Sequence, residues 1–225
     1  MIKLKVFNLL EENKNPRGIE NWKKLNYQNW SSYGIGLTQL KKIAKQVGKN
    51  HELALELWKE PNYDIKVISI LIEDPKKVNK IQIENMVNGT SMWIMSHIWV
   101  QNLFSKVSFA KELSESWRNS NDDVKRRIGY TYLYYLARDK KVLDDYFIPI
   151  MNHIKKEIQG EENFVKDAMN NSLLTIGQRS KELNMKCLEV CNSVGKIIVD
   201  YGENSCEAVD VVKHLTSERM LKKFK

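Results

Sequence analysis

The sequence predicts an all-α fold, a HEAT-like helical-repeat solenoid, and three observations carry that expectation. Apolar residues recur at helical spacing along almost the whole chain, and the alternation of a half-buried strand is absent. A similar phrase opens three apolar runs: Asp64-Ile65-Lys66, Asp123-Val124-Lys125 and Phe164-Val165-Lys166, the last two 41 residues apart. A period of roughly 40–47 residues is that of stacked HEAT-type units, each unable to bury its apolar face without a neighbour. The connections between runs are also short, as helix-to-helix connections in bundles and arrays are.

Taken in order, the first helices are expected at Lys3–Glu12 and Ile19–Leu25, separated by Pro16-Arg17-Gly18. The stretch Ser31 to Gly36 reads as a loop, with Thr38 as N-cap of the next helix and Gly48 as its stop. Asn50 caps a helix carrying Leu53, Leu57 and Trp58, Pro61 ends the turn after it, and the helix begun at Asp64 closes at Pro75. Helices follow near Asn79–Val87, Ser91–Phe104 and Phe109–Trp117. Asn121 and Asp122 cap one from Val124 to Ala137, where acidic residues at the N-terminus meet the positive end of the dipole. The remainder are Asp144–Gln159, Glu162–Gly177, Lys181–Val194 and Ala208–Lys222, with an irregular stretch over 195–206. A single repeat domain over 1–225 is expected.

The chain has 225 residues, 42% of them hydrophobic, enough to bury a core. Its formal net charge of +8 and pI near 9.2 favour phosphate-rich partners or an anionic membrane surface over basic ones. Cys187, Cys191 and Cys206 form a sparse, odd set, and the N-terminus lacks a small-residue cleavage site. No run approaches the roughly 18 apolar residues of a membrane span. The expectation is therefore a cytoplasmic monomer with no membrane partner. Cys187 and Cys191 are four apart on one helix face and with Cys206 could contribute to a zinc site, but core thiols are the stronger reading.

Several segments in order resemble the DNA alkylation repair family of HEAT-like DNA glycosylases. They are YGIGLTQLKKIAKQVGKNHELALELW, YDIKVISILIEDP, SMWIMSHIWVQNLF, VKRRIGYTYLYYLA and ENFVKDAMNNSLLTIGQRS, spanning 33–180. The tail GKIIVDYGENSCEAVD is similar to a segment of a subset of that family. The resemblance implies excision of cationic N-alkylpurines from double-stranded DNA without metal or other cofactor. In such chemistry a carboxylate near C1′ stabilises the charge developing on the sugar, aromatic faces pack on the deoxyribose, and an arginine grips phosphate.

Carried over by residue, the arginine is Arg127, with Arg126 and Lys125 beside it. The family keeps a tryptophan followed four residues later by an aspartate. An ungapped match on Asn102-Leu103-Phe104 puts Trp93 and His97 there, and a slip of one puts Met92 and Ser96 there. Neither register supplies a carboxylate. A neutral imidazole at His97 can act as a base towards water, whereas a protonated one would repel an oxocarbenium ion. The second family aromatic falls on Asn171. The catalytic candidates are thus His97 and Trp93, and the phosphate-binding candidates Arg127, Arg126 and Lys125.

Other features carry duller readings. Asp200, Glu203 and Cys206, with Asp210 and His214 following, could gather into a small polar site, though an acidic loop containing glycine is more often a surface turn. Trp30, Trp93 and Trp99 could read DNA, but tryptophans in helical repeats usually pack between helices. Lys222-Lys223-Phe224-Lys225 reads as a frayed basic tail that adds non-specific phosphate affinity. Two alternatives to a DNA-repair function stay open: a non-catalytic DNA-binding or protein-interaction scaffold, and an enzyme using the 200–210 loop for different chemistry.

Overall fold

The computed structural model describes residues 2–25, 30–202 and 206–224. Among these the regular structure is helical, apart from one isolated bridge between Ser31 and Asn62. The helices gather into two compact units, Met1–Ser108 and Phe109–Lys225. No helix among the described residues is long and apolar enough to cross a membrane.

The first unit holds α1 (Ile2–Glu12), α2 (Pro16–Lys24), α3 (Leu37–Val47), α4 (His51–Trp58), α5 (Tyr63–Ile72), α6 (Lys80–Val87) and α7 (Trp93–Asn102). Its centre is α5, which is buried on all sides over Asp64–Ile70 and packs against α3, α4 and α7. A helix buried all round has no solvent face to give, and each isoleucine it buries contributes about 1.5–3 kcal/mol. Two charged side chains are buried with it. The Asp64 carboxylate accepts from the Ser32 hydroxyl (2.6 Å) and the backbone N–H groups of Tyr33 (2.7 Å) and Ile35 (3.1 Å), tying the 31–36 loop to α5. Burial raises its pKa above the usual carboxylate value against the pull of those hydrogen bonds. Lys66 donates to the Trp58 carbonyl and lies between the Trp58 and Trp30 rings, 4.4 and 5.1 Å from their centroids. Burial lowers its pKa.

The second unit holds α8 (Ala110–Trp117), α9 (Asp123–Thr131), α10 (Leu133–Leu136), α11 (Ile148–Glu157), α12 (Asn163–Gly177), α13 (Lys181–Val194), α14 (Val211–Leu215) and α15 (Glu218–Lys223). Here α12 is central, packed against α9, α10, α13 and α14. Ser172 links it to α9 by donating to the Tyr130 carbonyl at 3.0 Å. Asn170 links it to the chain entering α14, through the Val209 carbonyl at 2.9 Å.

Local signals place most boundaries correctly. Asn50 and Asp122 act as the N-caps expected of them, accepting from Leu53 (3.0 Å) and Lys125 (3.1 Å). Five expectations need correction. Pro16 does not separate two helices but starts α2, where its missing N–H costs nothing, and Asn15 caps it. The residue flanking α3 is Gly36, so Thr38 lies inside the first turn. The helix expected over Val124–Ala137 divides at Tyr132, and the C-terminal one divides at Thr216-Ser217. Lys222 and Lys223 belong to α15, so the basic tail is helical there.

Candidate nucleic-acid interface

The burial pattern of α7 separates the two possible registers. Met95, Ser96, Ile98, Trp99 and Val100 are buried, as is Met92 just before the helix. Ser96 is fully buried, its hydroxyl donating to the Trp93 carbonyl at 2.8 Å. Met92 and Ser96 therefore cannot meet a ligand. Trp93 and His97 are only partly covered, one turn apart on the same face. Their rings meet edge-on, with centroids 6.2 Å apart and planes at 86°. The helix carries no carboxylate. Trp99 is fully buried and stacks on Phe104 at 5.1 Å, the packing role expected of most tryptophans here.

In the second unit the three basic residues of α9 have different surroundings. The Arg126 guanidinium donates to Glu161 through Nε (3.2 Å) and Nη2 (3.1 Å), and to the Ser120 carbonyl through Nη1 (2.9 Å). Its charge is matched within the fold. The Lys125 ammonium sits 5.8 Å from the Trp117 ring centroid. Arg127 is only 3% exposed, its guanidinium 6.0 Å from the Phe164 ring. A basic first turn thus resolves into one paired, one partly covered and one buried cation.

Beside them lies a carboxylate that the sequence reading passed over. Asp167 on α12 is 5% exposed. Its Oδ1 accepts from the Tyr201 hydroxyl (2.7 Å) and from the Asn171 amide (2.8 Å). Burial, and the carboxylate it donates to, push the Tyr201 phenol well above its usual pKa. Tyr201 also packs against Phe164, with centroids 6.3 Å apart. The chain after α13 thus folds back on the start of α12, and Asn163 and Asp200 fasten it with two hydrogen bonds of 2.6 and 2.8 Å. Asn171, where the resemblance implies an aromatic, orients a buried carboxylate instead. The signal was present in the sequence: Asp167 and Asn171 are four apart on a helix.

The remaining candidates lie on the chain between α13 and α14. Asp200 accepts from the Gly202 N–H (2.8 Å), Asp210 caps α14, and Cys206 is exposed. Glu203 lies outside the described residues. No group of three His, Cys, Asp or Glu suited to a metal occurs among the described residues. Cys187 and Cys191 are buried, and burial pushes both thiols up, Cys191 to about 11. Both side chains are enclosed among the apolar residues of the second unit, so the core reading applies to both.

The chain is a DNA alkylation repair protein by family: the family model described as "DNA alkylation repair enzyme" matches residues 6–198, and the chain belongs to that family. Among particular relatives, an uncharacterized protein of Listeria innocua is 28% identical over 190 residues, covering 83% of each chain. One from Listeria monocytogenes is 26% identical over the same share. A solved structure superposes with a TM-score of 0.85 over 100% of this chain and 97% of its own, at 22% identity. It is described as a new family of proteins related to the HEAT-like repeat DNA glycosylases with affinity for branched DNA structures. The fold is therefore the HEAT-like helical repeat expected from the sequence.

Proposed function

We propose that this protein binds double-stranded DNA, branched forms included, and that it does so with an altered form of the family's catalytic position. The observation that carries the reading is α7. It keeps an aromatic ring on its accessible face at Trp93, with an imidazole at His97 one turn on where the resemblance implies a carboxylate. The family match, the solved relative's affinity for branched DNA and the net charge of +8 all support it. In this reading Trp93 packs on a sugar. Arg127, with Lys125 and Arg126 near it, supplies positive charge towards phosphate. Because Arg127 is buried in the free protein, its contact with phosphate requires local rearrangement around it.

A second reading retains metal-free N-glycosidic hydrolysis of cationic N-alkylpurines. It is favoured by the half-exposed imidazole, which in its neutral form can take a proton from the attacking water. It lacks the anion that would stabilise positive charge on the sugar.

Two measurements on the purified protein test these readings. Fluorescence anisotropy with a linear duplex and a three-way junction, over a range of salt, should give salt-dependent binding to both and tighter binding to the junction. Arg127→Ala should lower the salt slope by about one unit, and Arg127→Lys should restore it. Absence of binding to either DNA at low salt would overturn the proposal. Base release from alkylated duplex above the spontaneous rate would establish the second reading.

A further inference from the structure

Arg126 is matched to Glu161 and Arg127 is buried in the free protein, whereas a different part of the second unit already presents exposed positive charge. A cleft of about 510 Å³ opens beside the C-terminal ends of α10 and α12 and the last turn of α15. Arg138, Lys140, Arg179 and Lys223 line it, together with Asp144 and Thr175. Asp144 is the one carboxylate among the described lining residues, and it is already engaged, by Arg179 (2.7 Å) and the Ser180 hydroxyl (2.5 Å). Arg138, Lys140 and Lys223 thus leave the cleft with an excess of positive charge.

Hydrogen bonds tie the walls of the cleft together. Arg179 donates to the carbonyls of Ala137, Asp139 and Val142, so the chain leaving α10 is held to the end of α12. Lys223 donates to the carbonyl of Gln178, which also lines the cleft. Arg138 is stacked 3.4 Å from the centroid of the Tyr134 ring and donates to the Tyr134 carbonyl at 2.9 Å. A guanidinium held over a ring loses less freedom on meeting an anion, and Tyr134, 47% exposed, adds an aromatic surface at the same rim.

We infer that this cleft holds the backbone phosphates of a second DNA strand and so supplies a preference for branched over linear DNA. The inference rests on the DNA-binding reading above. Its chemistry is that of non-specific strand binding, in which several cations track phosphates and an aromatic face lies beside them.

The test is the double variant Lys140→Glu/Lys223→Glu, whose side chains are exposed, with Lys155→Glu/Lys156→Glu on the exposed face of α11 as a control of equal charge change. Circular dichroism confirms folding, and anisotropy is read on a labelled three-way junction and a linear duplex. The cleft variant should bind the junction about tenfold more weakly, with a salt slope about two units smaller, and the duplex within about twofold of wild type. The control should keep the junction preference. Junction binding that is unchanged, or weakened no more than duplex binding, overturns the inference while leaving the DNA-binding reading intact. Wild-type protein that binds neither DNA overturns the reading itself, and the inference with it.

Discussion

The His97 imidazole meets the Trp93 ring edge-on at 6.2 Å, one turn further along the partly exposed face of α7. The pair is a property of one helix, because residues four apart stack on the same face. It puts the aromatic and the titratable group of the proposed DNA contact side by side without a carboxylate. Replacing the imidazole therefore tests whether the missing anion is what limits chemistry. His97→Asp should raise base release from alkylated duplex by about tenfold or more over wild type. His97→Asn, which adds no charge, should not. Trp93→Ala should weaken DNA binding by about tenfold, the lower part of the range for removing an aromatic contact.

Gly18 and Gly34 touch backbone to backbone, and neither tolerates a side chain. A Cβ on Gly18 would lie 2.0 Å from the Gly34 carbonyl oxygen, and one on Gly34 would lie 2.4 Å from the Ile19 nitrogen. Gly34 also has φ +73, where L-residues are strained. Gly34→Ala should cost about 3 kcal/mol in urea unfolding. Gly36→Ala, with open space around its Cβ and an ordinary φ of −68, should be neutral or slightly stabilising.

The three thiols should separate by reactivity. Cys187 and Cys191 are buried with raised pKa values, and Cys206 is exposed. Titration of the native protein with a disulfide reagent at neutral pH should show one fast thiol, lost in Cys206→Ser, with the other two reacting only on denaturation. Three fast thiols would contradict the packing of α13.

Tyr63 makes stability depend on alkaline pH. Burial first, and the neighbouring Asp64 second, raise its phenol from 10.0 to about 12. The unfolded chain then loses this proton before the folded one does. Its contribution is full below pH 10 and is lost as pH rises through the interval to about 12. Tyr63→Phe should therefore remove about 2–3 kcal/mol of the stability loss seen by wild type over that interval. Parallel curves for the two proteins in urea titrations would refute this.

Much of the architecture was readable from the chain. Asn50, Asn79 and Asp122 cap helices by accepting from an N–H three residues on, an interaction contained in one turn. The ordered segments between Tyr33 and Ser180 identified the family, and the spacing of Trp93 and His97 placed both on one face of α7. The division at Tyr132 was less legible, because its apolar pattern runs on through Ala137.

The sequence by itself thus determined the helical class, the family and the pairing of Trp93 with His97, since each depends on contacts within a turn or on the order of short segments. Tertiary structure decided what the charged groups do. Arg126 is matched to Glu161, Asp167 is held by Tyr201, and Arg179 binds the chain beyond α10, across separations of 35, 34 and 35–42 residues. No local pattern encodes which partner a side chain meets at that distance. Packing brings those groups together, and burial then decides which charges are satisfied internally and which stay on the surface for a ligand.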